Sequence, residues 1–198
     1  MQESPVTRAS LLIRLRDGED AEAWQEFVHL YAPVLYGFAR RRGLQDADAA
    51  DLMQDVLRSV SRNVHRLEYD PNRGTFRGWL FTITRNKVMS FFESRNRRVQ
   101  ASGDSSVHQR LEQHADEDLS ADWEADYQRV LTAQAMERVK SEFRANTWDA
   151  FVLTAVEGLP PAEVSERVGM SVGAIYVAKS RVIARLRQEI EKMQGDDP

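Results

Sequence analysis

The sequence predicts an all-α fold of two small helical domains joined by a flexible acidic linker, with a helix-turn-helix in the second domain. Apolar residues recur every three or four positions along most of the chain, and no convincing alternating strand pattern occurs. This periodicity is lost between residues 99 and 122, where Ser, Gly, Gln and Asp accumulate. Near the end of the chain, a short helical pattern, a glycine and a second helical pattern follow one another closely.

The first domain is predicted to span residues 1–98 and to contain four helices. They are expected at 8–18, 20–42, about 46–65 and about 75–95. Gly18 and Gly43 close the first two, and Pro33 is expected to kink or divide the second. A dense cluster of turn formers, Tyr69-Asp-Pro-Asn-Arg-Gly74, precedes the fourth helix. After the linker at 99–122, the second domain is predicted at 123–198, with helices at about 123–142, 146–157, 161–168 and 172–192.

The net charge of −4 is unevenly distributed along the chain. Residues 1–100 carry 16 Lys and Arg against 13 Asp and Glu, and residues 128–198 carry ten of each. Residues 101–127 carry one Arg against eight acidic residues, so the acidity lies in the connecting segment. Two basic stretches remain, at 73–98 and 171–187, and such stretches can bind phosphate even when the whole chain is acidic.

Several classes of protein are disfavoured by composition. The absence of cysteine excludes disulfides, thiolate metal sites and a cysteine nucleophile. The four histidines have no metal-ligand spacing, and neither a nucleophile motif nor a phosphate-binding glycine loop occurs. We therefore expect no catalytic residues, no metal and no cofactor. With no secretion signal visible and no apolar run near the roughly 18 residues of a membrane span, we expect a cytoplasmic protein without membrane insertion.

The segment from Pro161 to Val182 has the spacing of a helix-turn-helix. Pro161 suits the first turn of a short helix, Gly169 ends it, and Ser171 is a natural N-cap for the next. A helical wheel of the second helix places these residues inward: Ile175, Val182, Ile183 and Leu186. It places these outward: Gly173, Ala174, Val177, Ser180, Arg181 and Ala184.

This outer face suits the major groove of DNA. Its small residues permit close approach, Val177 can touch a thymine methyl, and Arg181 can pair with guanine through two hydrogen bonds. Arg185 and Arg187 suit phosphates. An ordinary helical hairpin is the alternative interpretation of the same segment.

The predicted third helix carries carboxylates on one outward face. Asp48, Asp51 and Asp55 are spaced by three and four residues, and Gln54 lies beside them. The face is either a docking surface for a basic partner or simply solvated.

The polar loop and the following helix combine aromatic and basic residues, which suits unstacked single strands of nucleic acid. Asn72, Arg73, Gly74 and Thr75 form the loop. Phe76, Arg77, Trp79, Arg85 and Asn86 follow on the helix. For Trp79, Leu80 and Ile83 we favour the alternative, that they are core residues.

Three ordered motifs together resemble the extracytoplasmic-function sigma factors of the sigma-70 family, over roughly residues 20–98 and 125–190. They are Asp48-Ala-Ala-Asp-Leu-Met-Gln-Asp-Val-Leu, Asp70-Pro-Asn-Arg-Gly-Thr-Phe-Arg-Gly-Trp-Leu-Phe-Thr-Ile-Thr-Arg-Asn, and the helix-turn-helix. Family members often carry Gly-Thr-Val-Lys-Ser-Arg entering the recognition helix, whereas this chain has Gly173-Ala-Ile-Tyr-Val-Ala178. That departure argues against transferring a −35 sequence from better-known relatives.

The resemblance implies a subunit that binds core RNA polymerase through its β′ and β subunits and recognises promoter DNA, with an anti-sigma factor as a further candidate partner. The β′ coiled coil would bind Asp48, Asp51, Gln54 and Asp55. The −10 element would be melted and read by Asn72, Arg73, Thr75, Phe76, Arg77, Arg85 and Asn86. The −35 duplex would be read by Ser171, Gly173, Ala174, Tyr176, Val177, Ser180, Arg181 and Arg185.

Three rival functions remain. A free-standing helix-turn-helix regulator would need neither the acidic face nor the polar loop. The absence of catalytic motifs argues against an enzyme. The small residues on the outer face of the last helix argue against a helical protein that only binds other proteins.

Overall fold

The computed structural model describes residues 9–66, 76–101 and 116–194, and within these ranges every regular element is a helix. By its internal contacts the chain divides into two units, Met1–Val130 and Leu131–Pro198. The predicted all-α fold of two small helical domains is confirmed.

The first unit begins with two helices, α1 (Ala9–Arg16) and α2 (Ala21–Arg41). Asp20 caps α2, because its carboxylate accepts a hydrogen bond of 2.9 Å from the N–H of Ala23. Arg14 of α1 donates to both carboxylate oxygens of Asp20, at 2.8 and 3.0 Å. This paired contact lowers the pKa of Asp20 and ties α1 to the start of α2.

Pro33 was expected to kink or divide the second helix. It does not divide the helix, since α2 continues through it, and the kink remains a prediction. Proline removes one backbone N–H, and here it stands on the exposed side of the helix. The opposite side packs Phe27, Tyr31 and Phe38 into the core, each 1% exposed or less. The burial of this apolar face outweighs one lost hydrogen bond.

Gly43 ends α2 with a φ of +87°, a conformation that favours glycine. Helix α3 (Asp46–Asn63) follows and continues into a 3-10 turn, Val64–Arg66. Its buried residues, Ala49, Leu52, Val56 and Val60, follow helical spacing. Helix α3 packs against α2 and α4.

Helices α4 (Phe76–Ala101) and α5 (Asp116–Lys140) both extend into the segment predicted as a linker. Residues 99–101 end α4 and residues 116–122 begin α5, whereas the linker bounds at 99 and 122 remain a prediction. The sequence at the start of α5 is acidic, and acidic residues in a first turn stabilise a helix through its dipole. The amino-acid composition of the segment did not reveal this effect. Residues 102–115 lie outside the described part of the chain.

The second unit contains the end of α5, then α6 (Ala145–Phe151), a π-helical turn (Val152–Val156), α7 (Pro161–Val168) and α8 (Val172–Gln194). Ala150, Val164, Ile175 and Ala178 form its buried centre. Leu153, Leu159, Val168 and Met170 pack around them. The division between the two units falls inside α5, so residues 123–130 lie in the first unit. The start of the second domain at residue 123 remains a prediction.

None of the helices in the described ranges has the length and apolarity that crossing a bilayer requires.

Candidate functional site

The acidic face of α3 (Asp48, Asp51, Gln54, Asp55) has the placement that its spacing predicts. Asp51, Gln54 and Asp55 are exposed, and Asp48 is half-buried. The opposite side of α3 packs into the first unit through Leu52 and Val56. The side chains of this face are therefore held on a rigid helix and open to a partner.

Two basic side chains, Arg58 and Lys87, lie near the Asp55 carboxylate of this face. Arg58, one turn further along α3, donates a hydrogen bond to the Asp55 carboxylate and lowers its pKa. Lys87 of α4 lowers the same pKa by its positive charge. Asp55 therefore stays ionised to a lower pH than a free aspartate, so the face keeps negative charge under mildly acidic conditions.

The predicted single-strand contacts are only partly described. Asn72, Arg73 and Thr75 lie outside the described residues. Phe76 is 2% exposed and packs against Phe27 and Tyr31, with ring centroids 5.9 Å apart in each pair. In this conformation Phe76 is a core residue, which differs from the expectation that it faces nucleic acid.

Arg77 is also buried, with 3% of its surface exposed. Its guanidinium carbon lies 4.4 Å from the centre of the Tyr127 ring, and Nη1 lies 3.4 Å from a carboxylate oxygen of Glu124. A cation above an aromatic face is attracted by the ring's electron density, more so away from water. Arg77 is thus held inside the first unit, which again differs from the expected nucleic-acid contact.

The remaining candidates on α4 reach the surface. Asn86 is exposed and Arg85 is half-buried. Of the core residues expected on this helix, Leu80 is fully buried, whereas Trp79 and Ile83 are half-buried.

The first part of α5 forms a contact that sequence reasoning missed. Trp123 packs against Phe38 and Phe81, with ring centroids 5.5 and 5.7 Å away, and Tyr127 stacks on Tyr31 at 5.8 Å. These aromatic residues of α5 are four positions apart, which could have indicated a buried stripe.

Ion pairs border this aromatic contact. Asp126 pairs with Arg41, and Asp122 lies 2.8 Å from Arg42. Burial is the main cause that raises the pKa of the Tyr127 hydroxyl. Segment 122–127 is therefore an integral part of the first unit, held by both packing and charge.

The junction between α7 and α8 has the predicted turn. Gly169 adopts φ +67° and its N–H donates to the carbonyl of Ser165 at 3.1 Å. The Ser165 hydroxyl in turn donates to the carbonyl of Met170 at 2.6 Å. Ser171 caps α8, since its hydroxyl oxygen accepts from the N–H of Ala174 at 3.2 Å. Residues 169–171 thus form a three-residue turn between the end of α7 and the start of α8.

The two sides of α8 match the helical-wheel prediction. Ile175, Val182 and Leu186 are buried, and Ile183 is half-buried. Ala174 is half-buried on the outer side. Exposed residues of the outer side include Gly173, Tyr176, Val177, Ser180, Arg181 and Ala184.

Arg185 is held by carboxylates, although we expected it to contact DNA. Its guanidinium donates two hydrogen bonds of 2.7 Å to Glu142 and one of 3.0 Å to Glu189. The hydrogen bond to Glu142 is the main cause that raises its pKa. In this structure Arg185 ties α8 to the turn that follows α5, and a phosphate would have to compete with two carboxylates. Arg187 is exposed.

No group of three or more His, Asp or Glu side chains in the described ranges is placed to hold a metal ion.

The family profile for sigma-70 region 2 matches residues 27–98. The chain is 31% identical over 181 residues to the extracytoplasmic-function RNA polymerase sigma factor SigE of Mycolicibacterium smegmatis. That alignment covers 88% of this chain and 64% of SigE. The chain is 33% identical over 78 residues to the extracytoplasmic-function sigma factor RpoE of Cereibacter sphaeroides. This second alignment covers 39% of the chain and 42% of RpoE. The chain thus spans less than two thirds of the length of both relatives.

The chain is also 28% identical over 182 residues to the sigma factor CnrH of Cupriavidus metallidurans, covering 86% of this chain and 90% of CnrH. Among solved structures, it is similar to CnrH in complex with the cytosolic domain of CnrY, with 22% identity and a TM-score of 0.37. That likeness covers 92% of this chain and 96% of the CnrH chain.

Proposed function

We propose that this chain, which carries a sigma-70 region 2 domain and is a homologue of the extracytoplasmic-function sigma factors, binds core RNA polymerase and directs initiation at specific promoters. Its action would be binding and recognition, with the chemistry of transcription left to the polymerase. Polymerase and promoter are both in the cytoplasm, so the chain would act there. An anti-sigma factor is a further candidate partner, as the resemblance to the extracytoplasmic-function sigma factors implies.

The observation that carries this proposal is the position of the region 2 match. Residues 27–98 include α3 with its acidic face, and most of α2 and α4. A free-standing DNA-binding regulator would have no need of a sigma region 2 domain. The match therefore favours a function that involves polymerase over DNA binding alone.

The acidic face of α3 is proposed as the surface that binds the β′ coiled coil of the polymerase. Asp51 and Asp55 are exposed and Asp55 stays ionised under mildly acidic conditions, so both suit a basic partner. Gln54, also exposed, adds an amide that can donate and accept hydrogen bonds.

Reversing Asp51 and Asp55 to Lys tests this surface. We expect about tenfold or greater loss of affinity for core polymerase, because like charges across an interface repel. Affinity would be measured by pull-down of purified core polymerase over a range of concentrations. Thermal unfolding should change little, since both side chains are exposed.

The matched control is Glu19→Lys with Glu137→Lys, which makes the same change in net charge at two exposed acidic positions away from α3. This control should retain wild-type affinity. Equal affinity in both double variants would show that the acidic face is only solvated.

The −10 element is proposed to be melted and read by the polar loop with Asn72, Arg73 and Thr75, together with Arg85 and Asn86 of α4. The exposure of Asn86 and the partial exposure of Arg85 support their inclusion. Phe76 and Arg77 are left out of this proposed contact surface because both are buried in the first unit.

The −35 element is proposed to be read as duplex by the outer face of α8. The fixed turn at 169–171 and the exposed face that includes Gly173, Val177 and Arg181 support this role. The other proposed members of this surface are Ser171, Ala174, Tyr176 and Ser180. Arg185 is proposed to orient α8 through Glu142 rather than to contact phosphate.

A further inference from the structure

The first two turns of α8 expose a cluster of apolar side chains. Val172 is 40% exposed, and Tyr176 and Val177 are each 58% exposed. Exposed apolar residues scattered singly are ordinary on protein surfaces, whereas neighbouring ones mark a site of interaction. These three lie within six residues at the beginning of one helix.

The surface around Val177 is open to close approach. A Cβ atom added at Gly173, one turn before Val177, would meet no atom within 4 Å. Arg181, one turn after Val177, is exposed. Residues 173, 177 and 181 are spaced by four, so they form a row on one face of α8. An occupant can thus reach the backbone at Gly173, the apolar side chain of Val177 and the guanidinium of Arg181 together.

Charge complementarity favours duplex DNA as the occupant. Residues 171–187 contain four basic residues and no acidic one. Arg185 is paired with carboxylates, whereas Arg181 and Arg187 are exposed. A basic surface suits a polyanion, and the N-terminal residues of such a helix are those that reach base edges in a major groove.

The side chain of Val177 is apolar, whereas the base edges in the major groove present mostly polar atoms. In the major groove, thymine differs from the other bases by its C5-methyl group. A valine gains from contact with that methyl, whereas it leaves the hydrogen-bonding groups of other bases unpaired. We propose that Val177 is a specificity-determining residue that selects thymine in the −35 element through its methyl group. This inference rests on the proposed function, because α8 must first bind that element.

The test uses holoenzyme assembled from the full chain and core polymerase. A promoter library randomised in the −35 region would first yield the preferred sequence. Each thymine selected there would then be replaced singly by deoxyuridine, which removes only the methyl group. For the wild type, deoxyuridine at one position should weaken binding about fourfold, the effect expected for one buried methyl group.

Val177→Ala should bind thymine at that position less than twofold more tightly than deoxyuridine, because its shorter side chain makes a smaller apolar contact. Arg187→Ala is the control, because loss of a phosphate contact should weaken both duplexes by the same factor and keep their ratio. The inference is overturned if no position is sensitive to deoxyuridine, or if Val177→Ala keeps the wild-type ratio. It is also overturned if Val177→Ala loses affinity for core polymerase alone, since the apolar cluster would then bind protein.

Failure of this inference differs from failure of the proposed function. If the holoenzyme selects a −35 sequence whose recognition is independent of the thymine methyl, only the role of Val177 is wrong. If the chain confers no promoter selection on core polymerase, the proposed function is wrong, and the role of Val177 falls with it.

Discussion

The guanidinium of Arg77 lies 4.4 Å from the centre of the Tyr127 ring, at 3.4 Å from Glu124. A cation near aromatic residues in the sequence predicts a nucleic-acid contact, because the same chemistry stacks bases and binds phosphate. In the folded chain the aromatic partner of Arg77 is supplied by α5 instead. The carboxylate of Glu124 compensates for part of the cost of burying the positive charge.

Tyr127 provides a test of this buried contact at high pH. Burial raises its pKa above the usual value of about 10, because the phenolate is disfavoured away from water. The stability that this shift contributes is present below about pH 10 and is lost as pH rises through the folded-state pKa. Wild type should therefore lose more stability between about pH 8 and pH 11 than Tyr127→Phe, which cannot ionise. Urea unfolding followed by circular dichroism at both pH values measures the difference.

Tyr176→Phe is the control for this experiment, since Tyr176 is 58% exposed. It should follow the wild type at both pH values. If Tyr127→Phe loses as much stability as the wild type, Tyr127 ionises as readily in the folded chain as in the unfolded one. That result would contradict the burial of Tyr127 against α2 and α4.

At the scale of elements, the junction of α7 and α8 depends on one backbone conformation. Gly169 has φ +67°, and a Cβ atom there would meet no atom within 4 Å. Any cost of adding a side chain is therefore conformational rather than steric crowding by neighbours. Gly173, inside α8, also has open space, but its φ is not positive.

These two glycines should respond oppositely to alanine. Gly169→Ala should lower the free energy of unfolding by about 1 kcal/mol, because L-residues disfavour the left-handed region. Gly173→Ala should leave it unchanged or raise it by up to about 1 kcal/mol, because alanine is the better helix former. Urea unfolding at neutral pH measures both. Destabilisation of the same size in both variants would show that the turn does not depend on the conformation of Gly169.

Features that depend on near neighbours in sequence were predictable from the sequence. The start of α7 at Pro161, the stop at Gly169, the cap at Ser171 and the two sides of α8 follow local signals, and the structure confirms them. These signals act over one or two helical turns. A single sequence displays them directly.

Contacts between distant residues were not predictable. Arg185 pairs with Glu142, 43 residues away, although its place in a basic stretch predicted a phosphate contact. Phe76 packs against Phe27 and Tyr31, although its neighbours on the chain predicted stacking on bases. Helical periodicity shows that a face is apolar without showing which distant face covers it.

At the scale of the whole molecule, the two units carry surfaces of different chemical character. The first presents the acidic face of α3, which suits a basic protein. The second presents α8, whose outer face combines small, apolar and basic residues. An acidic surface and a basic one on a single chain suit a protein that binds a protein partner and DNA together.

The most direct test of this account is transcription in vitro by core RNA polymerase with and without the full chain, on a library of random promoter sequences. We expect new transcripts only when the chain is present, and their start sites should share sequences in the −10 and −35 regions at a constant separation. Asp51→Lys with Asp55→Lys should reduce these transcripts without changing the shared sequences. A chain that adds no transcripts to those of core polymerase alone, while still binding the DNA by itself, would contradict a sigma-factor function.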